Sequence, residues 1–368
     1  MAKNEELGSD VLIDATALGN YLTDIFAAAG CEIEEARRVS LNLLEASLTG
    51  HDSHGVIRTP RYLLWVKSGN LVPGQDLSVD SDQGALAILD GRFGFGQTVG
   101  PQAVRIGLEK ANKHGLSVIA LKQAGHLGRI GAFAEMAAAE NMVSIHFVNV
   151  AGSILVAPFG GTDRRISTAP IAIGVPVPDA KPVILDFATS TVAEGKVLVA
   201  AKGGKPLPND SLIGPDGTLS GDPSLLYGDA DPSSPDLRTG EGAITAMGLH
   251  KGSGLAVMCE LLAGALTGSG ATGEHYSRIH NGMLSIYLPV ERFESGDTYG
   301  AEIRRYIDYV KSSNSAVEGA EILVPGEPEE IKRAERMSGG VPLSADAWNA
   351  ICDEGTSYGI SAPRPLNQ

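Results

Sequence analysis

Within HDSHGVIRTP (residues 51–60) two histidines, His51 and His54, stand three residues apart, with Asp52 between them and Arg58 four residues beyond. Three kinds of chemistry could start from such a set. As metal ligands, His51 and His54 need a third protein ligand, a carboxylate or another histidine, and no HExxH or comparable partner occurs. As a proton carrier, one histidine needs only a carbonyl substrate and an orienting group. Arg58 adds a planar fork that takes a carboxylate bidentately, so histidine plus arginine suits a small keto or hydroxy acid. A helix-capping cluster is the alternative that needs no substrate.

Four further stretches carry residues of chemical interest. In AGHLGRIGAFAEMAA (124–138), Gly125, Gly128 and Gly131 loosen a turn between a strand and a helix predicted from about Ile130. Free backbone N–H groups and the helix dipole favour an anion there, with His126 and Arg129 at hand. A capping histidine is the plainer reading. PVILDFATS (182–190) runs an apolar strand into Asp186, which either caps the next helix or holds an imidazole and stabilises its charged form. GLHKGSG (248–254) sets His250 and Lys251 in a glycine turn without the spacing of a phosphate-binding loop. GFGQTVG (94–100) sits between a strand and a helix, but its GxGxxxG spacing misses the dinucleotide fingerprint by one residue. It is read as a turn.

The elements that must position these residues follow from periodicity. Residues 14–50 read as helical, stopped by Gly50, and a further helix is predicted from Thr59–Pro60 through RYLLWVKSG. After about residue 80 short β-like runs take over: ALAILDG, LSVIALK, VSIHFVN, IAIGVPV and PVILDFA, with helical segments between several of them. Residues 206–236, rich in Pro, Gly, Asp and Ser, read as an ordered excursion or flap. LAVMCELLAGALTG (255–268) reads as a buried apolar helix, and after NGMLSIYLPV the chain turns helical again.

Composition narrows the class. At 368 residues and 43% hydrophobic, the chain can bury a sizeable core in two or three compact units. A net charge of −15 disfavours nucleic acid and anionic membrane as partners, so an anionic substrate needs a local cationic pocket. Cys31, Cys259 and Cys352 form no CxxC pair, which suits a reducing cytoplasm. The N-terminal residues lack the apolar stretch of a signal peptide, and no apolar run reaches the ~18 residues of a membrane span.

SHGVIRTPRYL, the GHLG turn, VAPFGGTDRRISTAP, ILDFATS, HKGSGLAVMCELLAGALTG and LVPGE, in this order over residues 14–345, resemble the type-2 malate/L-lactate dehydrogenase family. That family includes malate, lactate, sulfolactate and ureidoglycolate dehydrogenases, diketogulonate reductase and the piperideine/pyrroline-carboxylate reductases. The resemblance implies an α+β fold. A non-Rossmann α/β domain with a mixed sheet (81–290) would bind NAD or NADP and pack on a helical domain built from both chain ends (1–80 and 291–368). It also implies a homodimer with its active site near subunit and domain boundaries.

Carried over residue by residue, the resemblance makes His54 or His126 the proton donor, and Ser53, Arg58 and Thr168 substrate contacts. Cofactor contacts would be His126, Gly128, Arg129, Asp186, Phe187, Ala188, His250, Lys251, Gly326 and Glu327. His54, four residues before the carboxylate clamp, is expected to be the acid/base, with Asp186 as its orienter. A helix start lowers the pKa of His126 and suits it to neutral contact with the cofactor. Two positions depart from the family pattern: Ala169, where many relatives carry Asn, and Pro328, where a polar or basic residue is common. The expected activity moves a hydride between NAD(P) and a small 2-hydroxy or 2-keto acid, with a cyclic imino acid as second substrate class. A metal-dependent hydrolase or lyase using His51 and His54, and a cofactor-binding relative without turnover, are the rival readings.

Overall fold

A computed structural model describes residues 10–201, 205–228, 238–293 and 296–367. The chain opens with β1 (Val11–Ile13) and α1 (Ala15–Ala28), whose first turn is capped by Asp14 accepting from Ala17 N at 2.8 Å. α2 (Ile33–Leu48) begins with Glu34 and Glu35, acids that suit the positive end of a helix. The predicted single helical stretch is thus two helices, broken where Gly30 takes φ +102°. Two 3-10 turns, Asp52–His54 and Val56–Arg58, lead into α3 (Thr59–Lys67), which carries Pro60 in its first turn. Proline costs nothing there because that N–H has no helical partner.

The middle of the chain supplies β2 (Ser78–Gln83), β3 (Leu86–Asp90), α4 (Gly96–His114), β4 (Ser117–Ala124), α5 (Gly131–Ala139) and β5 (Met142–Ala151). β6 (Pro170–Val175), β7 (Val183–Ala188) and α6 (Glu194–Ala201) follow, then β8 (Leu212–Ile213), β9 (Leu219–Ser220), α7 (Ser224–Tyr227) and β10 (Ala243–Ile244). α8 (His250–Cys259) runs on into a π-helical turn, Glu260–Ala265, before β11 (His280–Pro289). The chain closes with α9 (Gly296–Lys311), α10 (Glu327–Gly339), β12 (Val341–Leu343) and α11 (Ala345–Ser357).

Seven strands form one mixed sheet in the order β2-β3-β4-β11-β5-β6-β7. β3 and β4 run parallel, joined by α4 as a crossover, and every other neighbouring pair is antiparallel. Each β-like run of the sequence lies in this sheet; β2, a polar strand at its edge, was not predicted. The 206–236 excursion contributes β8 and β9, which form a small sheet with β10 in the order β10-β8-β9, while its residues 229–236 lie outside the described set, as do residues 1–9.

Three apolar clusters hold the chain. One joins α1–α3 to the far C-terminus, packing Leu22, Phe26 and Tyr62 with Val341, Trp348 and Ile351. β1 pairs antiparallel with β12, Val11 opposite Leu343, so both chain ends meet in one small sheet. A second cluster lies between the large sheet and α4 and α5, and a third beneath α6, α7 and α8. α8 departs from the expected burial: Val257 and Met258 on it, and Leu261 just beyond, are 42%, 46% and 49% exposed.

Candidate active site

The histidine turn is built by close approach. At Gly55 a Cβ would lie 2.1 Å from Ser47 Oγ, so only glycine lets the chain cross α2, where Val56 N donates to that same oxygen at 3.0 Å. From α10, Arg336 donates to both carboxylate oxygens of Asp52 and to the Ser47 carbonyl. His51 Nε2 stands 3.4 Å from Glu329. His51 and Asp52 are therefore held by the C-terminal end of the chain.

Ser53, His54 and Arg58 line a cleft of about 1220 Å³. His126, brought in by the turn after β4, forms a facing part of its wall, and its ring stacks on that of His54. Ser53 Oγ lies 3.0 Å from His54 Nδ1, and Tyr62 Oη lies 2.6 Å from His126 Nδ1. Each ring thus has its Nδ1 engaged and its Nε2 without a hydrogen-bond partner among the described residues. Burial, together with the positive charges of Arg58, His51 and Arg129, lowers the His54 pKa to about 3. Burial and Arg58 likewise hold His126 well below the usual histidine range. Both rings therefore favour the neutral form at neutral pH.

Arg58 Nε donates to the Ser53 carbonyl at 2.5 Å, which fixes the guanidinium plane. Its Nη1 and Nη2 have no hydrogen-bond partner among the described residues. Glu194, at the start of α6, lies in the same wall, with Arg238 Nε at 2.7 Å and Arg61 Nη1 at 3.8 Å. Burial opposes the charge of Glu194, but Arg238, Arg58 and Arg61 together hold its pKa below the usual carboxylate range. Gly195 brings this helix against the turn, since a Cβ there would lie 2.8 Å from Ser53 Cβ.

The structure distributes the sequence-predicted residues unevenly. Gly128, Thr168, Phe187 and Ala188 line the cleft with the histidines, and Gly128 takes φ +76°, which suits glycine. Arg129 is also in the wall but is buried against Glu135, with Nη1 at 2.9 Å, so its charge is already matched. Asp186 Oδ2 accepts from Gly131 N at 2.7 Å. It caps α5 and makes no hydrogen bond to His54, whose Nδ1 faces Ser53 instead. Burial raises the Asp186 pKa. His250 and Lys251, at the exposed start of α8, do not line the cleft. The glycine turn puts them on the surface, where the His250 ring meets Phe159.

Gly326 and Glu327 border an adjoining hollow of about 1210 Å³ between α10 and β7. Glu327 is engaged there with Lys311 at 2.5 Å and with Val324 N at 2.9 Å. Pro328 falls in the first turn of α10 and faces the main cleft. Ala169 is fully buried with φ +33°, beside the Thr168 carbonyl that accepts from Thr189 N. Among the described residues, no three of His, Cys, Asp or Glu lie close enough together to hold a metal ion.

Tyr62, Gln97 and Glu194 were not singled out from the sequence. Tyr62 carried one signal: His54, Arg58 and Tyr62 recur every four residues. GFGQTVG proves to be a packing device. A Cβ at Gly96 would lie 2.3 Å from the His126 carbonyl oxygen, and one at Gly100 would lie 2.5 Å from the Phe133 ring.

The comparisons agree with one another. Residues 13–352 match the family model described as malate/L-lactate dehydrogenase. Hydroxycarboxylate dehydrogenase B of Escherichia coli K12 is 38% identical over 94% of this chain and 94% of its own length. The L-lactate dehydrogenase of Cupriavidus necator is 32% identical over 95% of this chain and 99% of its own. A solved Escherichia coli structure assigned as a malate/lactate dehydrogenase superposes with a TM-score of 0.88 at 37% identity, covering 95% of this chain and 96% of that one. No helix among the described residues is long and apolar enough to cross a membrane. With cleft, fold and sequence in accord over nearly its whole length, this chain belongs to the malate/L-lactate dehydrogenase family.

Proposed function

We propose that the protein is an NAD(P)-dependent oxidoreductase that interconverts a small 2-hydroxy acid and its 2-keto acid. One observation carries this reading: the Arg58 guanidinium, its plane set by Ser53 and both terminal nitrogens without a hydrogen-bond partner among the described residues, shares a cleft with the stacked His54 and His126. A carboxylate takes that fork with two parallel hydrogen bonds. The carbonyl next to it then lies within reach of the imidazoles. With about 1220 Å³, the cleft exceeds the ~300–1,000 Å³ typical of small-molecule sites, so a dinucleotide fits beside a short acid.

A nicotinamide cofactor bound there would supply or take the hydride. The chain supplies orientation and a proton. Arg58 turns the carbonyl face by fixing the carboxylate, and His54, protonated from solvent once the carboxylate has bound, gives its Nε2 proton to the oxygen in the reducing direction and returns to the neutral ring. Burial first and the Arg58 charge second lower the His54 pKa, and a bound carboxylate cancels that charge. The arriving anion thereby raises the proton affinity of the histidine that serves it. Gly128, Arg129, Asp186, Phe187 and Ala188 would border the cofactor. Gly326 and Glu327 would do so through the adjoining hollow.

We also propose that the cofactor is held on the mixed seven-stranded sheet of residues 81–290 in place of a parallel Rossmann sheet, with residues 1–80 and 291–368 forming the helical domain. The core shared by α1–α3, β12 and α11 supports that division. Exposed Val257, Met258 and Leu261 support a homodimer, since a contiguous apolar face favours a covering partner. His250 and Lys251 stand at one end of that face. The free state of Cys31, Cys259 and Cys352 supports a cytoplasmic setting.

The test is absorbance-monitored reduction of a panel of 2-keto acids and cyclic imino acids, with NADH and NADPH in parallel, on protein analysed for metal. Turnover of a 2-keto acid is expected. Turnover confined to imino acids, no turnover with either cofactor, or a stoichiometric bound transition metal would overturn the reading.

A further inference from the structure

We propose that Tyr62 is a positioning residue of this site, acting with Gln97 to hold His126 in the tautomer that carries its proton on Nε2. The inference rests on the reading of the cleft given above. Its evidence is a chain of hydrogen bonds behind the cleft wall. Gln97 Nε2 donates to the His126 carbonyl at 3.2 Å and to Tyr62 Oη at 3.1 Å. The carbonyl fixes which way the amide faces, because only the nitrogen side can donate to it.

Tyr62 Oη therefore accepts from Gln97. Its single proton has one described acceptor left, His126 Nδ1 at 2.6 Å. An Nδ1 that accepts is unprotonated, so the proton of the neutral ring resides on Nε2. The opposite tautomer would make the hydroxyl accept twice and leave its own proton unmatched in a fully buried place, which is costly. Burial also pushes the Tyr62 pKa up to about 12, so the phenol keeps its proton at neutral pH.

The ring of Tyr62 is held without help from the hydroxyl. Phe95, Phe26 and Trp65 surround it at centroid distances of 6.1, 6.5 and 5.8 Å. Phenylalanine fits the same space and removes only the hydroxyl's two links, to His126 and to Gln97. The functional consequence is a division of labour. His126 presents an N–H to the substrate oxygen and polarises it, while His54, whose Nδ1 rests on Ser53, exchanges the proton.

The experiment uses long-range proton–nitrogen correlation spectra of histidine-labelled protein without substrate, with His126 assigned by its absence in His126→Gln. Wild type should show the Nε2–H pattern at His126, and Tyr62→Phe should show a mixture of tautomers. At saturating cofactor, Tyr62→Phe should lose about 10-fold or more in kcat with little change in KM. If Tyr62→Phe does not fold, Gln97→Leu takes its place, with the same spectral change expected. An unchanged tautomer in the folded variant, or an Nδ1–H pattern in wild type, overturns the proposal. The spectra need no turnover, so a wild-type protein inert towards the acid panel defeats the functional reading without touching this one.

Discussion

The imidazoles of His54 and His126 stack with centroids 5.5 Å apart and planes 14° from parallel. Each Nδ1 is engaged by the chain itself, by Ser53 in one case and Tyr62 in the other. Two rings so close and both beside Arg58 cannot easily be charged together, so only one exchanges a proton during turnover. Removing an acid/base group costs about 10²–10⁴-fold. His54→Ala should lose activity on that scale and keep NAD(P)H affinity, measured by fluorescence. His126→Ala should weaken cofactor binding as well and should leave the acid/base limb of the pH–rate profile in place. Loss of that limb in His126→Ala, with its survival in His54→Ala, reverses the two roles.

Arg58→Lys keeps the charge and discards the fork. It also removes the Nε bond to the Ser53 carbonyl that orients the group. A loss of roughly 10-fold or more in kcat/KM is expected, about 1.4 kcal/mol, with cofactor affinity unmoved. If NAD(P)H binding collapses while keto-acid saturation stays the same, Arg58 serves the cofactor.

How far the sequence reached depended on whether a residue's role is local. Ser53, His54 and Arg58 stand within one turn and line the cleft together, so their types and spacing were readable. The glycines of GFGQTVG were readable as a turn but not as packing, because what each of them meets lies 19 or more residues away, at Gln75, His126 and Phe133. Asp186 invited two readings, a cap or an orienter, and its Oδ2 accepts from Gly131 N as a cap does. His250 and Lys251 looked chemical in a glycine turn, yet the turn faces outward. Glu194 has no motif around it. Its meaning comes from Arg61 and Arg238, which only the folded chain brings to it.

Asp186→Asn tests the cap against the orienter. Asparagine keeps an oxygen for Gly131 N and gives up the charge that would stabilise an imidazolium. As a cap, the variant should keep its kcat within a few-fold at saturating substrate and cofactor. Asp186→Ala should lose about 0.5–2 kcal/mol of stability, read by urea unfolding. A fall of about 10²-fold or more in kcat for Asp186→Asn would restore the orienter role.

His146 has no place in the chemistry, yet it should govern acid sensitivity. It lies fully buried on β5, between Ser144 and Ser285, at 3.0 and 2.9 Å. Burial lowers its pKa to about 3, against ~6.5 in the unfolded chain. The folded state thus resists a proton that the unfolded state accepts. Its contribution is complete above the unfolded pKa and is lost as pH falls towards the folded one. Between about pH 7 and pH 5, wild type should lose about 2 kcal/mol more than His146→Gln. Urea unfolding of both proteins at the two pH values checks this. Equal losses would show that His146 titrates normally.

Gly96→Ala should disturb the site from behind. The added Cβ would meet the backbone of His126 and Leu127, at 2.3 Å from a carbonyl oxygen and 2.6 Å from a Cα. Backbone cannot swing aside as a flexible side chain can. Either α4 or the His126 turn must shift, and overpacking of this kind typically costs about 1–3 kcal/mol. That shift also disturbs the bond from Gln97 to the His126 carbonyl, so kcat should fall along with stability. Gly339→Ala is the control. It adds the same methyl at the last residue of α10, where nothing lies within 4 Å of the new Cβ. Replacing a helical glycine there should stabilise by roughly 0.5–1 kcal/mol. Thermal melts of both variants beside wild type should move in opposite directions. A Gly96→Ala protein with unaltered melting and unaltered kcat would mean that the helix and the histidine turn are not in contact as described.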